Sequence, residues 1–208
     1  MTEAGRVPVV ATLRRLLNPP AVPRTGERCE LCSVPLHDGH GHIVDIRTRR
    51  LLCACRICAA ASASAGGRYR AVPARYVHLP SMRMSAAQWE ALAIPVDLAF
   101  FFFNSDLGRT VAFYPGPAGA AESLLPLDAW SALAEANPWI RAAAPDVEAL
   151  LVRRAGEEYD CFLVPIDACY ELVGRIRAQW TGLGGGERVR MEIDGFFAAI
   201  RERTGTRA

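Results

Sequence analysis

Between Cys29 and Cys58 the chain reads CELCSVPLHDGHGHIVDIRTRRLLCACRIC, a stretch that holds five of its seven cysteines and three of its four histidines. Cys29 and Cys32 form one Cys-x-x-Cys pair, Cys55 and Cys58 form a second, and Cys53 stands just ahead of it. Each pair bends the backbone into a tight knuckle. Two knuckles can close four thiolates round one ion, the tetrahedral arrangement that suits zinc. A single iron fits the same four sulfurs. The spacing leaves a Cys53–Cys58 pairing open. His37, His40 and His42 are alternative ligands, each able to replace a thiol, and otherwise serve as loop residues or donors around the site.

The order of elements through this stretch is that of a treble-clef zinc finger. A first knuckle precedes a hairpin with Ile43, Val44 and Ile46 on one strand, Arg47–Arg50 in the turn and Leu51–Cys53 on the return. An Ala-rich helical segment then opens at Cys58 and stops at Gly66-Gly67. The amides at its start favour thiolate charge, which selects Cys55 and Cys58 over Cys53.

The remaining chain divides around this module. Residues 1–28 read as an N-terminal arm, with an amphipathic stretch Val9–Leu17 closed by Asn18-Pro19-Pro20; residues 29–66 form the zinc-binding module. Residues 67–95 are a connector with a short helix, in which Ser85 caps and Gln88 completes a capping box. Residues 96–203 make an α+β domain. Its strands are Leu98–Phe103, Thr110–Tyr114, Val147–Arg154 and Tyr159–Val164, with turns at Gly108 and Gly156-Glu157. Two segments echo each other: LLPLDAWSALAEA (Leu124–Ala136) and FLVPIDACYELVGRI (Phe162–Ile176) share apolar–Pro–apolar–Asp–Ala before a helical pattern. The echo predicts two β-β-α repeats, their helices capped by Asp128 and Asp167 and lying on one face of a single antiparallel sheet. Tyr114–Ser123 reads as an irregular connector. Cys161 and Cys169 read as buried small hydrophobes, Cys169 being the more reactive by its place near a helix start. After the glycine turn Gly182–Gly186, Glu187–Arg203 shows a helical apolar stripe of Val189, Ile193, Phe196, Phe197 and Ile200.

Charge is unevenly placed. Residues 1–80 carry twelve arginines against five acids, and the rest twelve against seventeen. The basic half could meet nucleic acid or an acidic partner. All 24 basic residues are arginine, however, which reads as codon bias and argues against a nucleic-acid surface. No apolar run is long enough to span a membrane. The start lacks a leader pattern, so the expected location is cytoplasmic, where clustered cysteines are metal ligands and not disulfides.

The combination of CELC, LLCACRIC, IPVDLAFFFF, VAFYPGPAGAAES, DVEALLVRR and VPIDACYELVGRIR resembles an uncharacterised actinobacterial protein family encoded beside nickel–iron hydrogenase genes. The resemblance runs from Cys29 to Phe197. It implies an accessory or maturation role without catalytic residues, acting through a protein partner such as a hydrogenase subunit or maturation factor. Two other readings compete. In a His-Asn-His-type nuclease, His42 would be general base and Asp45 or His40 would help hold Mg²⁺, yet no Asn lies between the hairpin and the second pair. In a one-iron electron carrier resembling a rubredoxin, glycine is favoured after the knuckles; here Ser33 and Ala59 stand there.

Overall fold

The computed structural model describes residues 26–62, 67–181 and 185–205. The Val9–Leu17 stretch lies outside them, as do the end of the Ala-rich segment and most of the glycine turn. Alternating apolar residues build two antiparallel sheets. The smaller has strand order β2-β1-β3, from β1 (Gly41–Asp45), β2 (Arg50–Ala54) and β3 (Tyr69–Ala71). The larger has order β4-β9-β8-β5-β6-β7, from β4 (Val77–His78), β5 (Leu98–Asn104), β6 (Arg109–Gly116), β7 (Gly119–Ser123), β8 (Glu148–Ala155) and β9 (Glu158–Pro165). The helices are α1 (Arg56–Ala61), α2 (Ala86–Ala91), α3 (Leu127–Ala136), α4 (Ile166–Gln179) and α5 (Gly186–Gly205), with a 3₁₀ turn at Pro138–Ala142. This is the α+β class with an antiparallel sheet that the sequence predicts.

The central strands β5 and β8 are apolar on both faces because both faces are covered. Leu98, Phe100, Ala149 and Leu151 face α4 and α5, which bring Leu172, Val173, Ile176, Phe196, Phe197 and Ile200. Ala99, Phe101, Leu150 and Val152 face the opposite layer, where α2 and α3 contribute Trp89, Leu92, Trp130 and Leu133. Phe101 stacks on Trp130 with ring centroids 5.0 Å apart. Each such side chain contributes about 1.5–3 kcal/mol by leaving water. The expected placement of both echo helices on one face is therefore overturned: α4 lies on one side of the sheet and α3 on the other. The second echo unit runs β8-β9-α4 as predicted. In the first, Tyr114–Ser123 is no irregular connector, since Tyr114–Gly116 pairs with Gly119–Ala121 in an added hairpin that inserts β7 ahead of α3.

The echo does set how both helices begin, although neither aspartate is the N-cap residue. Pro126 and Pro165 are the extended residues at the two N-caps, and neither helix has a side-chain cap. Asp128 and Asp167 lie within the first turn, where a carboxylate meets the positive end of the helix, and Asp167 Oδ1 accepts from the Ala168 amide at 2.8 Å. A proline suits this position because its missing N–H would find no helical acceptor there. The helix at Ala86–Ala91 has the predicted capping box between Ser85 and Gln88.

Residues 67–95 are more than a connector, because they supply an edge strand to each sheet: β3 pairs with β1, and β4 with β9. They also carry arginines that fasten the two parts. Arg70 reaches the buried Asp146 at 2.7 Å, and Arg75 grips the buried Glu148 through two bonds of 2.7 and 2.5 Å. Part of the basic first half is thus spent on the acidic second half. In the small sheet, Ile43, Leu52 and Ala54 form a private core, while Val44 and Leu51 point the other way into the large one. Ile46 falls in the turn after β1 and not on the strand.

Candidate metal centre

A loop of two residues between cysteines is short enough for local hydrogen bonds to shape. At the first knuckle the Cys29 amide donates to Val34 O at 2.9 Å and the Ser33 amide to Cys29 O at 2.7 Å. Ser33 sits in the left-handed region with φ 62°, so the turn tolerates a non-glycine where a rubredoxin favours glycine. At the second knuckle Cys55 is the N-cap of α1, its sulfur accepting from the Cys58 amide at 3.4 Å. The helix therefore starts one residue after Cys55, and both ligands of this pair belong to its first turn.

The four sulfurs of Cys29, Cys32, Cys55 and Cys58 lie within 4.8 Å of one another. Cys32 and Cys55 sulfurs are 3.7 Å apart. An ion bonded to sulfur at about 2.3 Å in a tetrahedron sets its ligands about 3.8 Å apart, so the donor set fits such an ion. The proton affinities tell the same story from the electrostatic side. Burial pushes the Cys29 thiol up, but the amides of Cys55, Cys32 and Leu31 outweigh it and hold this thiol at about 6. The Cys55 thiol is lowered chiefly by the Cys58 amide. Cys58 is pushed up to about 12 by the sulfurs of Cys55 and Cys32. Four thiols this close cannot all ionise against one another; a cation among them removes that repulsion. When bound, a metal here supplies a cross-link between the two knuckles.

The other predicted residues divide sharply. Cys53 is not part of the four-sulfur group. It faces His42 directly across the β1–β2 pair and forms a separate cluster with His40 and His42. The His37 ring joins neither group, although its carbonyl oxygen lies 3.1 Å from His40 Nδ1. The His42 Nδ1 lies 2.8 Å from an Asp167 carboxylate oxygen on α4, 125 residues away, and this contact raises the histidine's pKa. No sequence signal links these two residues. Asp167 reads as a cap, and only the docking of β1 against α4 shows its role.

Of the nuclease arrangement, the structure keeps His40 beside His42 but separates Asp45 from them. Along β1, His42 and Asp45 are three residues apart and so project from opposite faces. Asp45 is buried and bound by Arg68 Nη2 at 2.6 Å and Nε at 3.1 Å, with no oxygen turned toward His42. Cys161 and Cys169 are buried, as read from sequence. The expected reactivity of Cys169 is overturned: burial, followed by the charge of Asp167, drives its thiol well above its ordinary value, so it stays protonated.

Fold and site together define an α+β protein carrying a four-cysteine finger able to hold a metal ion. The chain belongs to DUF5947, a family of unknown function, whose profile matches residues 28–204. Comparison with curated proteins gave no match. Comparison with solved structures gave none either. Among the described residues no helix is long and apolar enough to cross a membrane.

Proposed function

We propose that this protein is a zinc-stabilised cytoplasmic accessory factor that binds another protein, and that its partner is a subunit or maturation factor of a nickel–iron hydrogenase. The observation that carries the binding role is the closed donor set. Four sulfurs fill a tetrahedral shell and leave no open position for substrate, which is the mark of a structural ion. Beside those ligands the finger exposes apolar side chains: Leu31 at 40%, Val34 at 45% and Ile57 at 81%. Apolar groups held rigidly at a surface are what a partner can bury. The hydrogenase assignment rests on the resemblance carried by CELC, LLCACRIC and VPIDACYELVGRIR.

Affinity capture of the tagged chain from cells that express a nickel–iron hydrogenase tests this reading. Recovery of a hydrogenase subunit or maturation factor is expected, with loss on Ile57→Asp. Recovery of none would refute the partner. Elemental analysis of the same material decides the ion: stoichiometric zinc in a colourless protein is expected, and stoichiometric iron in a coloured one would point to the electron-carrier alternative.

A further inference from the structure

The second cluster, on the other side of Cys53 from the four-sulfur site, has the features of a metal site of its own. Its assembly follows from strand geometry. His42 and Cys53 are a cross-strand pair in the β1–β2 register, and His40 precedes His42 by two residues and so shares its side. The two imidazole rings have centroids 5.1 Å apart. One ring nitrogen of each histidine and the Cys53 sulfur lie within 4.8 Å of one another. A tetrahedral ion with bonds of about 2.0–2.3 Å needs its ligands about 3.3–3.8 Å apart, a closure of roughly 1 Å that side-chain rotation supplies.

The hydrogen bonds around the cluster prepare it for a cation. His40 Nδ1 faces the His37 carbonyl at 3.1 Å and a Glu27 carboxylate oxygen at 3.3 Å. His42 Nδ1 faces the Asp167 carboxylate at 2.8 Å. These partners only accept, so each ring keeps a proton on Nδ1, and in its neutral form has its lone pair on Nε2. A carboxylate or carbonyl behind each histidine is how metal-ligating imidazoles are oriented. His40 Nε2 is buried and has no hydrogen-bond partner, one of two such side-chain atoms among the described residues. A buried ring nitrogen without a partner is unfavourable, and a bound ion would satisfy it. Two neutral imidazoles and one thiolate would leave a divalent ion with one positive charge, facing Asp167 and Glu27.

We propose that Cys53 Sγ with Nε2 of His40 and His42 binds a second divalent transition-metal ion, of the zinc, cobalt, nickel or copper type, separate from the four-sulfur centre. Imidazole and thiolate together favour these ions over Mg²⁺ and Ca²⁺. Three protein ligands leave a fourth position for water or an exogenous ligand, and the His42 side chain is 27% exposed. The four-sulfur site is closed and this one is open, so its ion is the exchangeable one. The inference is independent of the partner proposed above and of which metal fills the four-sulfur site.

The test uses the full chain with its four-sulfur site filled by zinc, titrated with Co²⁺. One further equivalent of Co²⁺ is expected, giving the visible bands of a tetrahedral ion with a single thiolate. His42→Asn and Cys53→Ser should abolish this uptake or strip its sulfur band while the first zinc is retained. Should these variants fail to fold, Asp167→Asn keeps all three ligands and should weaken Co²⁺ binding about 10–100-fold by freeing the His42 ring. No second equivalent in the wild-type protein, or a second equivalent whose affinity and spectrum survive these substitutions unchanged, would overturn the site.

Discussion

The finger and the six-stranded body reach order by different physical routes. The private core of the finger is Ile43, Leu52 and Ala54 with a few half-buried neighbours. The body closes two apolar layers over its sheet, with Phe100, Phe101, Phe162, Phe197 and Trp89 each almost wholly buried. A core as small as the first cannot outweigh the entropy of ordering its own loops. An ion held by the four sulfurs would compensate, because folding would then include the free energy of binding it. The body needs no such ion. On the proposed reading the same chain contains a part held by coordination and a part held by burial, joined by Val44, Leu51 and the arginines of the intervening segment.

Removing the ion should separate the two parts most. Structural zinc is worth about 10–16 kcal/mol of apparent binding free energy near neutral pH. Chelation, or Cys29→Ser, should expose residues 26–62 to protease while amides of β5 and β8 keep their hydrogen-exchange protection. Simultaneous loss of both would mean that burial does not hold the body by itself. Truncating the body is the reverse experiment. Phe101→Ala should cost about 3–5 kcal/mol in urea denaturation by leaving a cavity against Trp130. Metal content should be unchanged, and loss of metal in the folded variant would erase the distinction.

The joint should respond more weakly. Arg75→Ala strands the buried carboxylate of Glu148 and should cost on the order of 2 kcal/mol, reduced by the partial exposure of the arginine. The acid response of one ion pair, compared between wild type and variant, reports on the finger. The Arg68 guanidinium holds the Asp45 carboxyl well below the usual carboxylate range, helped by Thr48. The folded state therefore favours the ionised form, and that stabilisation is present above the unfolded value of about 3.9 and lost as pH falls below it. The gap in melting temperature between wild type and Asp45→Asn should narrow between pH 6 and pH 3. A constant gap would show that the ion pair does not control this region.

What could be read ahead of the fold was local. The knuckle pairs close over two intervening residues, and the capping box at Ser85 and Gln88 spans three. The strands Leu98–Phe103 and Val147–Arg154 were legible as apolar runs, but that helices cover both of their faces was not. Errors came where local and distant explanations compete for one residue. Asp167 has the position of a cap by sequence, but Pro165 takes that place; one carboxylate oxygen still accepts from the Ala168 amide, and the other meets His42. The repeated Pro–apolar–Asp–Ala motif starts two helices alike yet says nothing of the side of the sheet each will cover.

Sequence alone determined the four-sulfur spacing, the apolar strands and the amphipathic stripe of α5, because covalent geometry and side-chain period act over a few residues. Tertiary structure alone decided that α3 and α4 take opposite faces, that Arg70 and Arg75 meet Asp146 and Glu148, and that His42 meets Asp167. Those contacts join residues separated by more than seventy positions. At such separations the chain imposes no preferred approach, so only the packing of one layer on another chooses the partner.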